Sequence, residues 1–232
     1  MAQRPIFIPS DSNSTLVETK MIDFTYHAGF SVSQKQKNIQ ELHSNASNSL
    51  GLNKILEVSS KSLDELGVKL SAFNLMIQDK SELSYSVECA FQSSKVFEQG
   101  QFKDLLYKTS REAKKDERLK TSGKLLSFNF YGNAWELNPV TAFYDWLYIS
   151  AINQNKHYHK EILSYQAFTD IEFNPKKSIN CQAYSLAMFV SLYNKGLLDV
   201  LSDKQAFLAL YTEYKTQNTQ NQHDELKNQE LF

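Results

Sequence analysis

The segment from Asn180 to Lys195, NCQAYSLAMFVSLYNK, is apolar over most of its length and long enough for a helix of about four turns. A helix that apolar has to be enclosed by the rest of its chain. The material is present, because 41% of the 232 residues are hydrophobic, with 15 Phe and 12 Tyr among them. A chain of this length hides roughly 70% of its unfolded surface on folding. That suits one ordinary domain, alone or with an added N-terminal layer.

Helix and turn signals divide the remainder. Residues 1–20 read as an irregular arm with a β-prone piece at Ile6 to Ile8, and Leu16 to Tyr26 alternates like a strand. Ser33 is the expected N-cap of a helix with Ile39 and Leu42 on its inner face. Strands are expected at 54–58, 69–77 and 83–86, the last two split by the polar turn Gln78 to Ser81. Ser86 then caps a helix expected to reach Phe97, with Gly100 ending the unit. Ser110 caps another, with Glu112 suited to the dipole of its first turn, and Gly123 closes it. A β-prone aromatic stretch, 124–131, meets a turn at Gly132-Asn133, and Pro139 fits the first turn of a helix through TAFYDWLYISAIN. Helices over 157–165 and 203–214 and a strand over 167–173 complete the set. The expected class is helix-rich α+β, with an N-terminal extension over 1–64 packed on a core over 65–214. The Gln- and Asn-rich remainder, 215–232, reads as a disordered tail.

Several functions are disfavoured. The two cysteines, Cys89 and Cys181, form no disulfide framework or metal-type spacing, and the five histidines are scattered. His157 and His159 would fall on different faces of a helix. No metal and no cofactor is expected. The N-terminus lacks a basic region followed by an apolar run, and no segment approaches the ~20 apolar residues of a membrane helix. A reducing, cytoplasmic setting without membrane attachment is the expectation. The net charge of −1 argues against a protein that holds DNA mainly through its phosphates. One stretch, Lys103 to Lys124, carries eight basic and four acidic residues; it is either a phosphate-binding edge or a solvated helix face.

The chemically informative residues are polar groups embedded in apolar helices. Glu88, Gln92 and Lys95 share one face of the helix expected after Ser86. Such a set costs free energy unless its members meet partners or a ligand. Either a carboxylate-lined pocket or a buried Glu88–Lys95 ion pair would satisfy it. Alternation puts Asp170 and Glu172 on one strand face, and Asn180 and Gln182 open the next helix, whose N–H groups suit a phosphate. Asp145 and Trp146 in FYDWLY fit a core and cap role better than a site.

Beyond the residues themselves, YSVECAFQSSK (85–95) resembles the NADAR signature in which Glu opens a helix reading E-H-A-F-Q-x-x-K. LSAFN (70–74) resembles that family's L-S-N-F-Y, and REAKKDERL its A-K-x-x-G-R, with Lys114 and Arg118 in matching places. WLYISAINQNKHYHKEIL and TDIEFNPKKSINCQAYSLAMFV resemble two later blocks, so the likeness covers roughly residues 65–196. Cys89 stands where the signature has His, and Glu117 where it has Gly. The N-terminal GFSVSQKQKNIQELH and ILEVSSKS look like those of NADAR proteins paired with DarT-type toxins.

The resemblance implies a glycohydrolase that removes ADP-ribose from the guanine amino group of DNA, as the antitoxin of a nearby DarT-type toxin. It implies Glu88 as acid/base, with Lys95, Lys114 and Glu172 as further catalytic groups. Ser71, Asn74, Gln92, Arg118, Trp146, Asn180 and Gln182 are the expected ligand contacts, Arg118 for the diphosphate. Lys35, Lys37 and Asn38 are the expected DNA contacts. A covalent route needs a partly neutral amine, and Lys114, set among Arg111, Lys115 and Arg118, is the favoured one. Two other readings are an N-glycosidase of a phosphorylated, riboflavin-pathway-like metabolite and a non-catalytic module that masks a toxin or binds ADP-ribose.

Overall fold

The computed structural model describes residues 2–214 apart from Lys177. The tail expected over 215–232 lies outside the described residues. In chain order the elements are β1 (Ala2–Pro9), β2 (Val17–Phe24), α1 (Val32–Leu50), β3 (Ile55–Glu57), α2 (Glu65–Lys69), β4 (Met76–Gln78), β5 (Ser84–Ser86) and α3 (Val87–Ser94). There follow β6 (Lys95–Phe97), β7 (Gly100–Gln101), α4 (Ser110–Lys115), α5 (Arg118–Thr121), β8 (Leu125–Phe130) and β9 (Asn133–Trp135). The last are α6 (Ala142–Gln154), α7 (His159–Ile162), β10 (Ala167–Thr169), α8 (Gln182–Asn194) and α9 (Lys204–Glu213). The class is α+β.

Helices α6 and α8 lie at the centre. In α8 every side chain from Ala183 to Leu192 is buried, and α6 is buried from Ala142 to Asp145 and again over Leu147–Ile149. The two pack on each other, α3 and α9 add to α6, and β1, β2 and β10 cover α8. An aromatic cluster of Phe91, Phe128, Phe143 and Trp135 joins α3, β8, β9 and α6. Such pairs add to the burial itself, by about 0.5–1.5 kcal/mol each.

Two four-stranded sheets flank this centre, in the orders β2-β1-β10-β3 and β7-β6-β8-β9. Strand β1 pairs antiparallel with β2 from Ala2↔Phe24 to Pro9↔Val17, and β3 runs parallel to β10. The expected irregular arm over 1–20 is therefore mostly strand. Strand β1 gains its regularity from its full-length pairing with β2 and from Phe7↔Phe168 with β10, the latter some 160 positions later and beyond any local pattern.

Other expectations shift in the same way. Helix α1 starts two residues early: its N-cap is Ser31, whose hydroxyl accepts from Gln34 N, rather than Ser33. The strand expected over 69–77 is mostly the end of α2 and a turn, with Asn74 N and Leu75 N both donating to Ser71 O. Helix α3 keeps its Ser86 cap but ends at Ser94, because Lys95 pairs with Phe128 of β8 and turns extended. Thr109, not Ser110, caps α4, in a full capping box with Glu112. Pro139 precedes α6 by a turn, its carbonyl accepting from Ala142 N. The expected helix over 157–165 is a 3₁₀ turn followed by the short α7. Strand β10 stops at Thr169, so Asp170 and Glu172 do not share a strand face: Asp170 is buried and Glu172 exposed.

Candidate functional site

The N-terminus of α3 is anchored from three sides. Ser86 Oγ accepts from Cys89 N at 3.1 Å, Ser110 Oγ lies 2.7 Å from Ser86 Oγ, and Glu88 N donates to Ala72 O at 2.9 Å. This fixes Glu88, only 4% exposed, at the junction of a two-lobed cavity. Gln92 Nε2, one turn on, donates to Glu88 Oε1 at 2.8 Å. Lys114 of α4 brings its ammonium to 3.6 Å from the same oxygen and sits over the Phe73 ring.

Lys95 lies in the second lobe. Because β6 turns away from the helix, the Glu88–Gln92–Lys95 face expected along one helix is instead completed by a strand residue. Lys95 is 2% exposed, its amine 5.0 Å from the Phe91 ring centroid. Burial lowers its pKa to about 8; Glu88 pulls it upward and Lys114 lowers it further. The amine perturbed by its surroundings is thus Lys95. Lys114 lies beside the carboxylate with its side chain 57% exposed, so a cationic neighbourhood in sequence does not become a desolvated one.

The first lobe, about 350 Å³, is walled by Ser59–Lys61, Ser71–Phe73, Asp170, Glu172, Phe173 and Gln182. The second, about 320 Å³, is walled by Phe91, Gln92, Lys95, Leu119, Lys120 and Ile179. Glu88, Lys114, Tyr144, Ser178 and Asn180 line both. Two acceptors on this lining, Gln92 Oε1 and Asn180 Oδ1, are buried without a hydrogen-bond partner among the described residues. Unpartnered buried acceptors are uncommon and suit a ligand that donates, such as a sugar hydroxyl or a base N–H.

Behind the first lobe lies a buried pair of carboxyl groups. Asp170 Oδ1 accepts from Glu172 N and Phe173 N, and its Oδ2 from Gln182 Nε2. Burial first, then the nearby Glu57, raises Asp170 to about 8. Burial raises Glu57 as well, against its hydrogen bonds from Thr169 Oγ1 and Ile171 N. The Thr169 proton points to Glu57, so His43 Nε2, 2.8 Å from the same hydroxyl, donates to it; burial lowers His43 to about 4, which leaves the ring neutral.

The other expected residues divide. Ser71 and Asn180 line the cavity, as does Gln182, but Gln182 spends its amide on protein: its oxygen accepts from Ala72 N and its nitrogen donates to Val58 O and Asp170. It is a brace between the cavity walls. Glu172 lies at the rim and pairs with Lys35 of α1 at 2.9 Å. Lys37 is exposed on α1. Asn38 cannot meet DNA, because it is buried and its amide is spent on His27 N and His27 O. Asn74 points elsewhere and donates to Val68 O. Arg118, the expected diphosphate contact, is held by Asp104 and Asp116 and stacks on Phe102, outside the cavity lining. Acidic neighbours at 104 and 116 were visible in the chain; their convergence on Arg118 was not. Trp146 is partly buried against the core, its indole N–H donating to Leu201 O beside the Trp135 ring.

Tyr144 and Glu57 are cavity or second-layer residues that the sequence did not single out. Glu57 had a signal, an acid inside the β-prone run ILEV, which is unusual for a buried strand. Tyr144 had none beyond its aromatic neighbours. Among the described residues no group of three or more His, Cys, Asp or Glu is placed to hold a metal ion. No helix of the described residues is long and apolar enough to cross a membrane.

A family model described as DarT1-associated NADAR antitoxin matches residues 2–221. The chain belongs to this family. The match takes in β1, β2, α1 and β3 as well as the cavity residues. Membership associates the protein with a DarT1 toxin in an antitoxin role. No curated protein matches it.

Proposed function

We propose that this NADAR-DarT1 antitoxin hydrolyses the bond between ribose C1 of ADP-ribose and the exocyclic amino nitrogen of guanine in DNA, reversing the modification made by its cognate toxin. The observation that carries this reading is the pairing, in one cavity, of a buried carboxylate, Glu88, with a buried amine, Lys95, lowered to about 8. At pH 7 about one Lys95 in ten is then neutral, against fewer than about one in a thousand for an ordinary lysine.

The substrate is a glycosylamine, which opens to an imine between C1 and the guanine nitrogen. The neutral Lys95 amine adds to C1. Glu88 moves a proton to the guanine nitrogen, which leaves as the free amino group while a Schiff base to Lys95 remains. Water adds to that carbon and releases ADP-ribose and the amine. Lys114 beside Glu88 balances its charge and, with Lys61, supplies cations for the diphosphate, the part expected of Arg118. Gln92 Oε1 and Asn180 Oδ1 supply acceptors for donors of the sugar or base. The chain's net charge of −1 fits if ADP-ribose contributes most of the binding. Acting on cellular DNA, the protein works in the cytoplasm.

The test compares wild type and Glu88→Gln on an oligonucleotide ADP-ribosylated on guanine and on phosphorylated small-molecule glycosylamines. Release of ADP-ribose from the oligonucleotide alone, lost in the variant, is the expected result. No release at high enzyme excess overturns the reading, and cleavage of the small molecules alone replaces it with a metabolic N-glycosidase.

A further inference from the structure

Tyr144 of α6 is only 7% exposed, and it lines both lobes of the cavity. Its ring is fixed by an edge-on contact with Phe91, the centroids 5.1 Å apart, and by stacking on Tyr148 at 6.2 Å. Tyr148, one turn along the helix, donates its hydroxyl proton to Leu70 O at 2.7 Å. The Tyr144 hydroxyl, by contrast, makes no hydrogen bond with a described residue. Buried tyrosine hydroxyls usually have a partner. A ring held this firmly, with its hydroxyl unpaired on a cavity wall, is placed for a partner that the substrate brings.

Its position narrows what that partner is. In guanine-linked ADP-ribose, C1 joins sugar to base, so it belongs beside Glu88 at the junction of the two lobes. Two atoms bonded to C1 change charge when the sugar opens, the guanine nitrogen and the ring oxygen O4. Glu88 serves the nitrogen. O4 takes on negative charge and needs a donor. Gln92 and Asn180 leave unpaired acceptors on this lining, and Lys114 is drawn to Glu88 at 3.6 Å. Ser178, the other hydroxyl common to both lobes, is partly exposed. Tyr144 is the buried one. Burial first, then Glu88, raises its pKa well above the ordinary tyrosine value, so its proton is in place at any working pH.

We propose that Tyr144 is a catalytic residue of ring opening, its hydroxyl donating to O4 of the ribose as the C1–O4 bond breaks. The electron pair of that bond stays on O4, which takes the phenolic proton, while the nitrogen lone pair forms the C1=N bond. The proton given up by the guanine nitrogen passes through Glu88 to the phenolate. The step therefore moves one proton from nitrogen to oxygen and needs no other reactant, and its product is the imine that Lys95 attacks. The proposal rests on the hydrolase reading and adds a residue to it.

The experiment measures single-turnover release of ADP-ribose from a guanine-ADP-ribosylated oligonucleotide by wild type, Tyr144→Phe and Ser178→Ala. Affinity for ADP-ribose and thermal melts are recorded for each. Phenylalanine keeps both ring contacts, so Tyr144→Phe should melt and bind ADP-ribose like wild type. Its release rate should fall about 100-fold, the effect of removing one donor to a developing oxyanion, while Ser178→Ala keeps its rate. A second assay separates ring opening from the later steps. Free ADP-ribose opens to its aldehyde in water unaided, so long incubation with cyanoborohydride should trap it on the Lys95 peptide equally in wild type and Tyr144→Phe. Trapping from the modified oligonucleotide should be slowed in the variant alone. An undiminished release rate in Tyr144→Phe overturns the proposal and leaves the hydrolase reading standing. So does a loss of ADP-ribose binding, or of trapping from free ADP-ribose, that matches the loss of rate. A wild type that releases ADP-ribose but is trapped from neither source removes the imine route and the role of Tyr144 with it. A wild type that releases none at enzyme excess refutes the hydrolase reading itself, and this proposal falls with it.

Discussion

The Lys114 ammonium stands 3.6 Å from Oε1 of Glu88, and the same oxygen accepts a hydrogen bond from Gln92 Nε2. One buried carboxylate oxygen thus faces an exposed cation and an amide, while Lys95 lies deeper in the same cavity. The two lysines differ in their surroundings. Lys114 is more than half exposed beside the carboxylate, whereas burial lowers the pKa of Lys95.

Glu88→Gln should remove proton transfer while keeping the shape of the cavity. A positioned acid/base contributes typically 10²–10⁴-fold, so the single-turnover rate should fall by about that factor with little change in melting temperature. Retained protection of toxin-expressing cells by this variant would favour masking over hydrolysis.

Lys95→Met tests desolvation directly. The Lys95 pKa is about 8 in the native state and 10.5 in its absence. Below pH 8 the amine is charged in both states, and folding bears the whole cost of burying that charge. Between pH 8 and 10.5 the native state sheds its proton first, so wild-type stability rises with pH through this window. The difference of 2.5 pH units corresponds to a cost on the order of 3 kcal/mol at pH 7. Denaturant melts should show Lys95→Met more stable than wild type at pH 7, with the gap closing by pH 10.5. A variant less stable at pH 7 would mean that the amine makes contacts worth more than its desolvation.

The covalent route predicts a trapped intermediate. Borohydride added during turnover should reduce the Schiff base and leave ADP-ribose on the peptide that carries Lys95. Mass spectrometry of the digest reads the site. Label on Lys114 would reverse the assignment, and no label together with an undiminished Lys95→Met rate would leave direct water attack assisted by Glu88. The wild-type rate should also climb with pH to an inflection near 8, as the amine becomes neutral.

The carboxyl pair behind the cavity has the opposite pH signature. Asp170 is raised from 3.8 to about 8, and Glu57 is raised too. The native state holds protons that the unfolded chain has lost, so stability falls as pH rises from about 4 to about 8. Glu57→Gln keeps an acceptor for Ile171 N and can donate to Thr169, and it removes the charge beside Asp170. Its melting temperature at pH 8 should exceed that of wild type by about 2–4 °C per kcal/mol regained. Melts that decline with pH as steeply as wild type would refute the coupling.

Local signals marked the elements well where backbone chemistry is local. Ser86 caps α3, and Gly100 and Gly123, both with positive φ, close the units before them. What the chain did not disclose depends on pairing at a distance. Lys95 leaves the helical pattern only because Phe128 offers a strand partner, and β1 is regular because β10 and β2 enclose it. In the site, Glu88 and Gln92 were legible as polar groups on an apolar helix; Lys95 was legible as their companion but not as a strand residue. Arg118 was not, because Asp104 and Asp116 capture it from separate segments. Asp170 and Glu172 were misjudged as a pair, since the chain turns immediately after Thr169 and sends them to different environments.

The most direct measurement is intact-mass analysis of a guanine-ADP-ribosylated oligonucleotide before and after incubation with the protein. Cleavage at ribose C1 restores the mass of the unmodified strand, guanine retained, and releases free ADP-ribose. An unchanged mass at enzyme excess, or an abasic strand in place of the restored guanine, would contradict the proposed reaction.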